Sequence, residues 1–524
     1  MNSTYFSQTT PIFNGIIVPH KGTIVGYTAI ISKLKLPIPV HHPISLIAEK
    51  RIKEKTSEWN IFPNSYLPED SSKTTEIKAL YKHLVFALKY EGVNLLIFSH
   101  LTKYYNENQL TELVNIEPTG QYSRRIWFII EWIMGKELKN KEPISKKNYI
   151  PVIDSELQFA IEGNKSPRHQ VINNLPGTPN FCPLISKTEK LKKYISENYS
   201  EKNNILLKGI HKDLLQRTSA FLLLKDSKAS FTIEGESPKS KRATRWGQVI
   251  GQAGLKSLSE EELKRLQQVV IENSRFVDMG FRKKGGFVGE HDRITGEPIP
   301  DHISAKWEDI DKLIDGLIKT YNLLIKSDID AVLAATIIAF GFVFIHPFED
   351  GNGRIHRYLI HHILAKKEFS KQGIIFPISA SILDHIDNYR KVLESYSHPI
   401  QEYIDWKETK DHNIEVISSS IDFYRYYDAT LQAEFLFDCV NDTIERIIPQ
   451  EINYLSNYDE FKIFIDDEFE MPDKMVAQLV RFLEQNNGQL SKRAKKKEFD
   501  DLSDKEVETI ELQFQEIFDL NHKK

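Results

Sequence analysis

The densest group of chemically capable side chains lies at residues 346–357, HPFEDGNGRIHR. An apolar stretch ends there in a loop that carries a base, a carboxylate, a Gly-Asn-Gly turn and two arginines. Glycine on both sides of Asn352 permits positive φ and close backbone approach. Successive backbone N–H groups in such a turn make an anion nest. At a helix start the macrodipole adds a favourable potential for negative charge. Arg354 and Arg357, three apart, fall on neighbouring positions of one helix side and can both reach phosphate oxygens. Asp350 suits a hard divalent cation bridging those oxygens, because Mg2+ takes one or two carboxylates together with phosphates. His346 stands at the edge of the nest, with a side chain suited to taking a proton near neutrality. Together these parts describe phosphoryl or nucleotidyl transfer, where positioning and charge stabilisation do most of the catalysis. Each part also has a plain structural reading: a histidine closing a helix, a turn that only turns, an aspartate that only caps. Their joint occurrence in one short segment favours the chemical reading.

At these residues the chain resembles the Fic family, whose signature H-x-F-x-[D/E]-G-N-G-R-x-x-R is matched at every fixed position. The likeness extends more weakly over about residues 205–410. It implies a helical core with a short β-hairpin flap, and transfer of AMP from ATP to a Ser, Thr or Tyr hydroxyl of a target protein. Carried over by resemblance, His346 is the general base and Phe348 anchors the loop. Asp350 holds Mg2+ on the α- and β-phosphates, and Gly351, Asn352 and Gly353 form the anion hole. Arg354 meets the β-phosphate region and Arg357 the γ-phosphate. A second mark is SFTIEG at 230–235, which matches the family's inhibitory pattern [S/T]-x-x-x-E-[G/N] at Ser230, Glu234 and Gly235. The resemblance then implies an auto-inhibited member, with an inhibitory helix at about 220–235 ahead of the core and Glu234 set against Arg357 where the γ-phosphate belongs. The plain alternative is a helix end with glycine as its stop residue. The related triplet Ile161-Glu162-Gly163 fails the pattern, because Gln158 stands where Ser or Thr is required.

Other family features map less sharply. The glycine-rich interval at 283–303 corresponds to the flap, with strands expected at Gly286–Gly289 and Ile299–Ile303. Gly286, Phe287, Val288 and Gly289 would dock an extended target segment by main-chain pairing. Asn388, Tyr389 and Leu393, after the motif, are the candidates for an adenine pocket. Three functional readings stand side by side. The first is an auto-inhibited protein adenylyltransferase with ATP as co-substrate and Mg2+ as cofactor. The second is a deAMPylating or bifunctional enzyme in which Glu234 positions water. The third is a non-catalytic nucleotide-binding interaction module, against which the intact His346 argues. The base of the nucleotide, self-modification and a homodimer stay open.

The elements that must position these residues follow from hydrophobic patterning. Ala331–Ile345 is the most apolar run, shorter than the roughly 20 residues that span a bilayer, and so reads as a buried helix with no membrane role. Ser327-Asp328 is its expected cap. Ser259 and Glu262 predict a capping box opening a helix through about Ser274. Upstream, Leu80, Leu84 and Leu88 predict helix between Thr75 and Leu101, and Ser123–Leu138 predicts another. Residues 166–183, SPRHQVINNLPGTPNFCP, read as a connecting loop. Val476–Gln485 is the clearest helical pattern near the C-terminus.

The length of 524 residues suggests about two to four domains. The expected division is an α+β region at 1–200, the Fic-like core at 205–410 and a helical region at 411–524, within a mainly α fold. With 69 basic and 73 acidic residues the net charge is −4, which supplies no overall attraction for nucleic acid. The basic-then-acidic run at 491–506 (SKRAKKKEFDDLSDKE) is most simply a solvated surface, and no nucleic-acid partner is expected. Two cysteines, Cys182 and Cys439, exclude a disulfide scaffold and a CxxC zinc site. The opening MNSTYFSQTTPIFNG lacks the basic and apolar blocks of a leader, so a cytoplasmic location is expected.

Overall fold

The apolar run Ala331–Ile345 is one helix with all 15 residues buried, the rod around which the site is built. The chain is described here by a computed structural model, over residues 6–7, 9–13, 15–69, 75–139, 148–271, 274–369 and 376–518. The fold is mainly α-helical, with small sheets concentrated in the N-terminal region.

In that region four strands pair in the order Gly22–Ile24, Ile44–Ala48, Trp59–Pro63, Glu54–Lys55. The two central strands are parallel. Ile44–Ala48 is buried at every position, which is why ISLIA shows no polar alternation. The helical stretch expected from Thr75 to Leu101 is two helices, Glu76–Tyr90 and Leu95–Tyr104. Gly92 breaks it with φ +91°, and the Asn94 side chain starts the next helix by accepting from Ile97 N. The segment 166–183 is not a surface connection. Val171–Asn173 pairs with two neighbouring strands, and Leu175, Phe181 and Cys182 are buried. The Phe181 ring lies where a Cβ on Gly341 would be, 2.1 Å from that virtual atom. The loop thus packs into the central rod, its polar groups bonded to distant elements: Thr320 Oγ1 donates to Phe181 O, Cys182 N to Arg425 O, and Tyr426 Oη to Pro179 O.

The helices that carry the site are α1 (Lys212–Ile233), α2 (Ser240–Ile250), α3 (Glu260–Val270), α4 (Ile310–Lys326), α5 (Ala331–Ile345), α6 (Asn352–Lys366), α7 (Ile378–Asp384) and α8 (Ile386–Gln401). Between α3 and α4 stands the expected hairpin, β1 (Phe287–His291) and β2 (Pro298–Ile303), antiparallel with an irregularity at Val288/Gly289. A second hairpin, β3 (Trp406–Glu408) and β4 (Ile414–Val416), opens the stretch expected to be wholly helical after 411. Asp330, not Ser327-Asp328, caps α5, accepting from Val332 N and Leu333 N. Ser327 Oγ instead donates to Leu324 O at the end of α4. Ser259 caps α3 by accepting from Glu262 N, but the Glu262 carboxylate is turned to Arg265, so only half of the capping box forms.

Helix α1 is held by a stripe at four-residue spacing, Thr218, Leu222, Asp226 and Ser230, all buried. Asp226 accepts from His361 Nε2 of α6 at 2.8 Å and from Ser379 N and Oγ of α7. The outer part of α1 meets the helix Ile448–Phe469 through a paired Arg217–Asp459 contact at 2.8 and 2.7 Å. One buried apolar cluster runs from Phe6 to Ile448, while residues Phe461 to Phe514 form a second. Among the described residues no helix is long and apolar enough to cross a membrane.

Candidate active site

Helix α5 ends at His346, which takes a left-handed conformation (φ 53°, ψ 60°) while its N–H still bonds Phe342 O at 3.0 Å. The chain therefore reverses, and Phe348, fully buried, plugs the loop against Phe281 and Phe342. The Asn352 side chain accepts from Phe348 N at 3.0 Å and donates to Phe348 O at 2.8 Å. Its amide thus staples the loop, which leaves backbone groups to act as the anion donors at the start of α6. Gly351, just ahead of α6, has φ +98°, and a Cβ there would also meet Val270 at 3.0 Å.

His346 Nδ1 donates to Val343 O at 3.3 Å, the carbonyl being able only to accept. Nε2 is thereby the ring's basic nitrogen. Burial, reinforced by the Arg282 guanidinium, lowers this imidazole to about 4, below the near-neutral value expected from its type. The ring is therefore neutral at pH 7 and able to accept a proton. It opens on a cavity of about 330 Å3, lined also by Glu234, Val288, Gly353, Tyr389 and Leu393. The adenine-pocket candidates separate here. Tyr389 and Leu393 face this cavity, whereas Asn388 faces a different cleft with His385 and Lys391. The reason is helical phase, since adjacent residues on a helix project about 100° apart. Gly286, Phe287 and Gly289 lie along the hairpin outside the cavity wall, and Val288 alone of the four reaches it.

The two arginines are nearly inaccessible, at 2% and 1% exposure. Arg357 is held from α1: Nε donates to Ser230 Oγ at 3.0 Å, and Nη2 to Ser230 O at 2.6 Å and to Glu234 Oε1 at 2.7 Å. Glu234 follows the last residue of α1, where Gly235 (φ +73°) lets Gly235 N bond Thr232 O and Glu236 N bond Phe231 O. This is the Schellman pattern. The ordinary helix stop and the carboxylate aimed at Arg357 are therefore one structure. A Cβ on Gly353 would lie 2.1 Å from Glu234 Oε1, so the carboxylate occupies the space over the second glycine of the turn.

Arg354 has carboxylate partners too. Its Nη1 bonds Glu236 Oε1, and Nη2 bonds Asp350 Oδ1 at 2.8 Å. Glu236 is itself gripped by Arg242 Nη1 of α2. The Phe231 ring lies under both guanidinium groups, at 5.5 Å from Arg354 and 4.6 Å from Arg242. Glu236 and Arg242 were not singled out from the sequence, although a second glutamate directly after IEG was a readable signal. Among the described residues, Arg354 Nε is buried without a hydrogen-bond partner, and the Arg357 guanidinium also faces the Tyr389 hydroxyl. Unmade bonds on buried cationic donors are costly. Asp350, half-exposed beside Arg354, is the carboxylate of this loop that could hold a cation.

Residues 257–364 match the sequence model of the Fic/DOC family. Two solved structures share a loose likeness with the chain. One is a Fic family protein from Desulfovibrio desulfuricans G20, at 17% identity and TM-score 0.39, covering 65% of this chain and 87% of that one. The other is a Fic domain containing signaling protein from Bacteroides thetaiotaomicron VPI-5482, at 19% identity and TM-score 0.33, covering 49% of this chain and 96% of that one. No curated protein matches the chain.

Proposed function

Residues 257–364 form a Fic-family domain, and from that premise we propose that the chain is a protein adenylyltransferase held inactive by its own α1 segment. The observation that carries the reading is the buried arginine pair at the start of α6. Arg354 and Arg357 are held there by Glu236, Asp350 and Glu234, and Glu234 lines the cavity onto which the neutral His346 ring opens. A triphosphate would replace Glu234 and Glu236 on the arginines, and Asp350 would hold its Mg2+, which neutralises phosphate charge when bound. A target hydroxyl laid along β1 attacks the α-phosphorus in line with departing pyrophosphate. The new O–P bond forms, the bond to the β-phosphate bridge breaks, and the hydroxyl proton passes to His346 Nε2. Anionic phosphates next to the ring favour its protonated form and raise its basicity from the low value set by burial.

Inhibition follows from competition. Arg357 cannot serve Glu234 and a γ-phosphate equally well, and Glu236 with Asp350 occupies Arg354 in the same way. The test is incubation with α-labelled ATP and Mg2+. Wild type should label itself or a lysate weakly, Glu234→Gly strongly, and Glu234→Gly/His346→Ala not at all. Equal labelling by the two variants would refute the role of His346. A second reading has its own support, because Glu234 lines the cavity that contains His346 and can there orient a water for removal of AMP. Release of AMP from a premodified protein by wild type, lost in Glu234→Gly, would select it.

A further inference from the structure

Arg282 sits one residue after Phe281, ahead of the hairpin, and is 5% exposed. Among the described residues no carboxylate lies within ion-pair distance of it, and Glu308 acts on it only from farther away. Such a group is expensive to keep. Its donors go to main-chain carbonyls instead. Nε donates to His346 O at 2.8 Å, Nη1 to Lys284 O at 2.9 Å, and Nη2 to Ala305 O. Its own backbone N–H bonds Pro347 O at 2.9 Å.

We propose that Arg282 is a positioning residue for His346, a clamp that fastens the catalytic loop to both stems of the flap and fixes the direction of the imidazole. The inference rests on the reading of His346 as the base and goes beyond the motif residues that the reading uses. Three facts carry it. First, His346 is left-handed, a conformation that bulky residues avoid unless the surroundings impose it. Reversal of the chain there turns the His346 carbonyl out of the α5 ladder, and Arg282 Nε takes it. Second, the strands on either side are tied at the same point. Phe281 bridges Phe348, Ala305 N bonds Ile345 O at 3.2 Å, and Ser304 N bonds Gly286 O at 3.1 Å. One planar fork therefore registers the incoming stem, the outgoing stem and the base-bearing loop against one another. A target strand paired to β1 is thereby registered to Nε2 through this junction.

Third, the clamp is charged. A cation beside His346 disfavours a second positive charge on the ring. The other titratable groups around the ring are His302, whose ring centroid is 6.2 Å away, and Glu234, Asp301, Arg390 and Glu394 of the same cavity. The carboxylates among them act in the opposite sense, so removal of the Arg282 charge moves the ring in one predictable direction, upward.

The experiment compares Arg282→Met and Arg282→Lys in the full chain, each in the Glu234→Gly background. The His346 ring resonance is assigned by its loss in His346→Gln and titrated by NMR. Single-turnover labelling and ATP affinity are measured beside it. Arg282→Met should raise the His346 midpoint by about one pH unit. It should slow labelling by roughly tenfold or more through misplacement of the base, with ATP affinity held within about twofold. Arg282→Lys keeps the charge and loses the fork, so the midpoint should stay and the rate should still fall. An unmoved midpoint or a full labelling rate in Arg282→Met overturns the proposal. If that variant does not fold, Arg282→Lys decides: full-rate labelling overturns it, and a loss of rate at unchanged ATP affinity upholds it. If the Glu234→Gly parent itself transfers no nucleotide, the proposed function fails, while the titration still decides what Arg282 does to His346.

Discussion

Arg354 and Arg357 are equally buried and three residues apart, yet different partners hold them. Arg357 faces Ser230 and Glu234, all from α1 and its final turn. Arg354 faces Glu236, itself gripped by Arg242, and Asp350 from its own loop. The consequence is that removal of Glu234 frees only half of the cradle. Glu236→Gln keeps the shape and removes the charge. Because Glu236 is about one-third exposed, its pair with Arg354 is worth on the order of 1 kcal/mol. Titration calorimetry should then show ATP·Mg binding roughly fivefold tighter in Glu236→Gln than in wild type, with transfer still low because Glu234 remains. The double variant with Glu234→Gly should label faster than Glu234→Gly alone. If Glu236→Gln binds ATP no more tightly, Glu236 is a surface contact without bearing on the nucleotide.

At the end of α1 the helix stop and the carboxylate facing Arg357 share one turn. Gly235 is left-handed at φ +73° with nothing within 4 Å of a Cβ built on it, so Gly235→Ala meets strain without collision. The cost is about 1 kcal/mol, borne by the turn that aims Glu234 and Glu236. The variant should fold, lose that much stability in α1, and label several times faster than wild type, as a time course with labelled ATP would show. Labelling at the wild-type rate would mean that the turn does not set the aim of the carboxylates. The same helix shows what sequence reading reaches. The motif at 346–357 was legible because its chemistry is local, and SFTIEG was singled out only through its resemblance to the family's inhibitory pattern. The hairpin at 287–303 was legible from glycine spacing and lies within a residue or two of its expected strands. Arg282 was not legible, since its partner His346 is 64 residues away and the bond runs to a backbone carbonyl that any residue supplies. Asn388 parts from its fellow candidates for the opposite reason. Its polarity suited a base pocket, but α8 turns its neighbours Tyr389 and Leu393 to the cavity instead.

Among the described residues, the buried cluster from Phe6 to Ile448 takes in both the N-terminal region and helix α5, with Phe181 seated on Gly341. The expected bounds at 1–200 and 205–410 followed the extent of the family resemblance, which does not report which side chains pack across residue 200. The shared core has an electrostatic consequence. Burial lowers His41, His100, His346 and His362 to about 4, and His302 and His356 to about 3. His356 shows why: Nδ1 donates to Ala339 O at 2.8 Å, and Nε2 is buried with no acceptor among the described residues for a second proton. These groups are neutral when folded and take up a proton on unfolding below about pH 6.5. Their contribution to stability is therefore complete above 6.5 and is lost as pH falls toward 4, each adding a slope of about 1.4 kcal/mol per pH unit in that window. Glu91, raised to about 7 by burial, has the opposite sign, losing stability as pH rises from about 4.5 to 7, and Asp309, Asp330, Asp428 and Glu451, also raised by burial, act in the same sense. The histidines are joined by carboxylates that ion pairs hold low, Glu131, Glu262, Asp422 and Asp442, and together they outnumber the raised acids, so the melting temperature by calorimetry should be level from pH 8 to 7 and drop between 6.5 and 4.5. The same scans in buffers of differing ionisation enthalpy should show net proton uptake on unfolding at pH 5.5. A melting temperature unchanged down to pH 4.5, or no uptake, would mean that these rings have water or partners that accept the second proton.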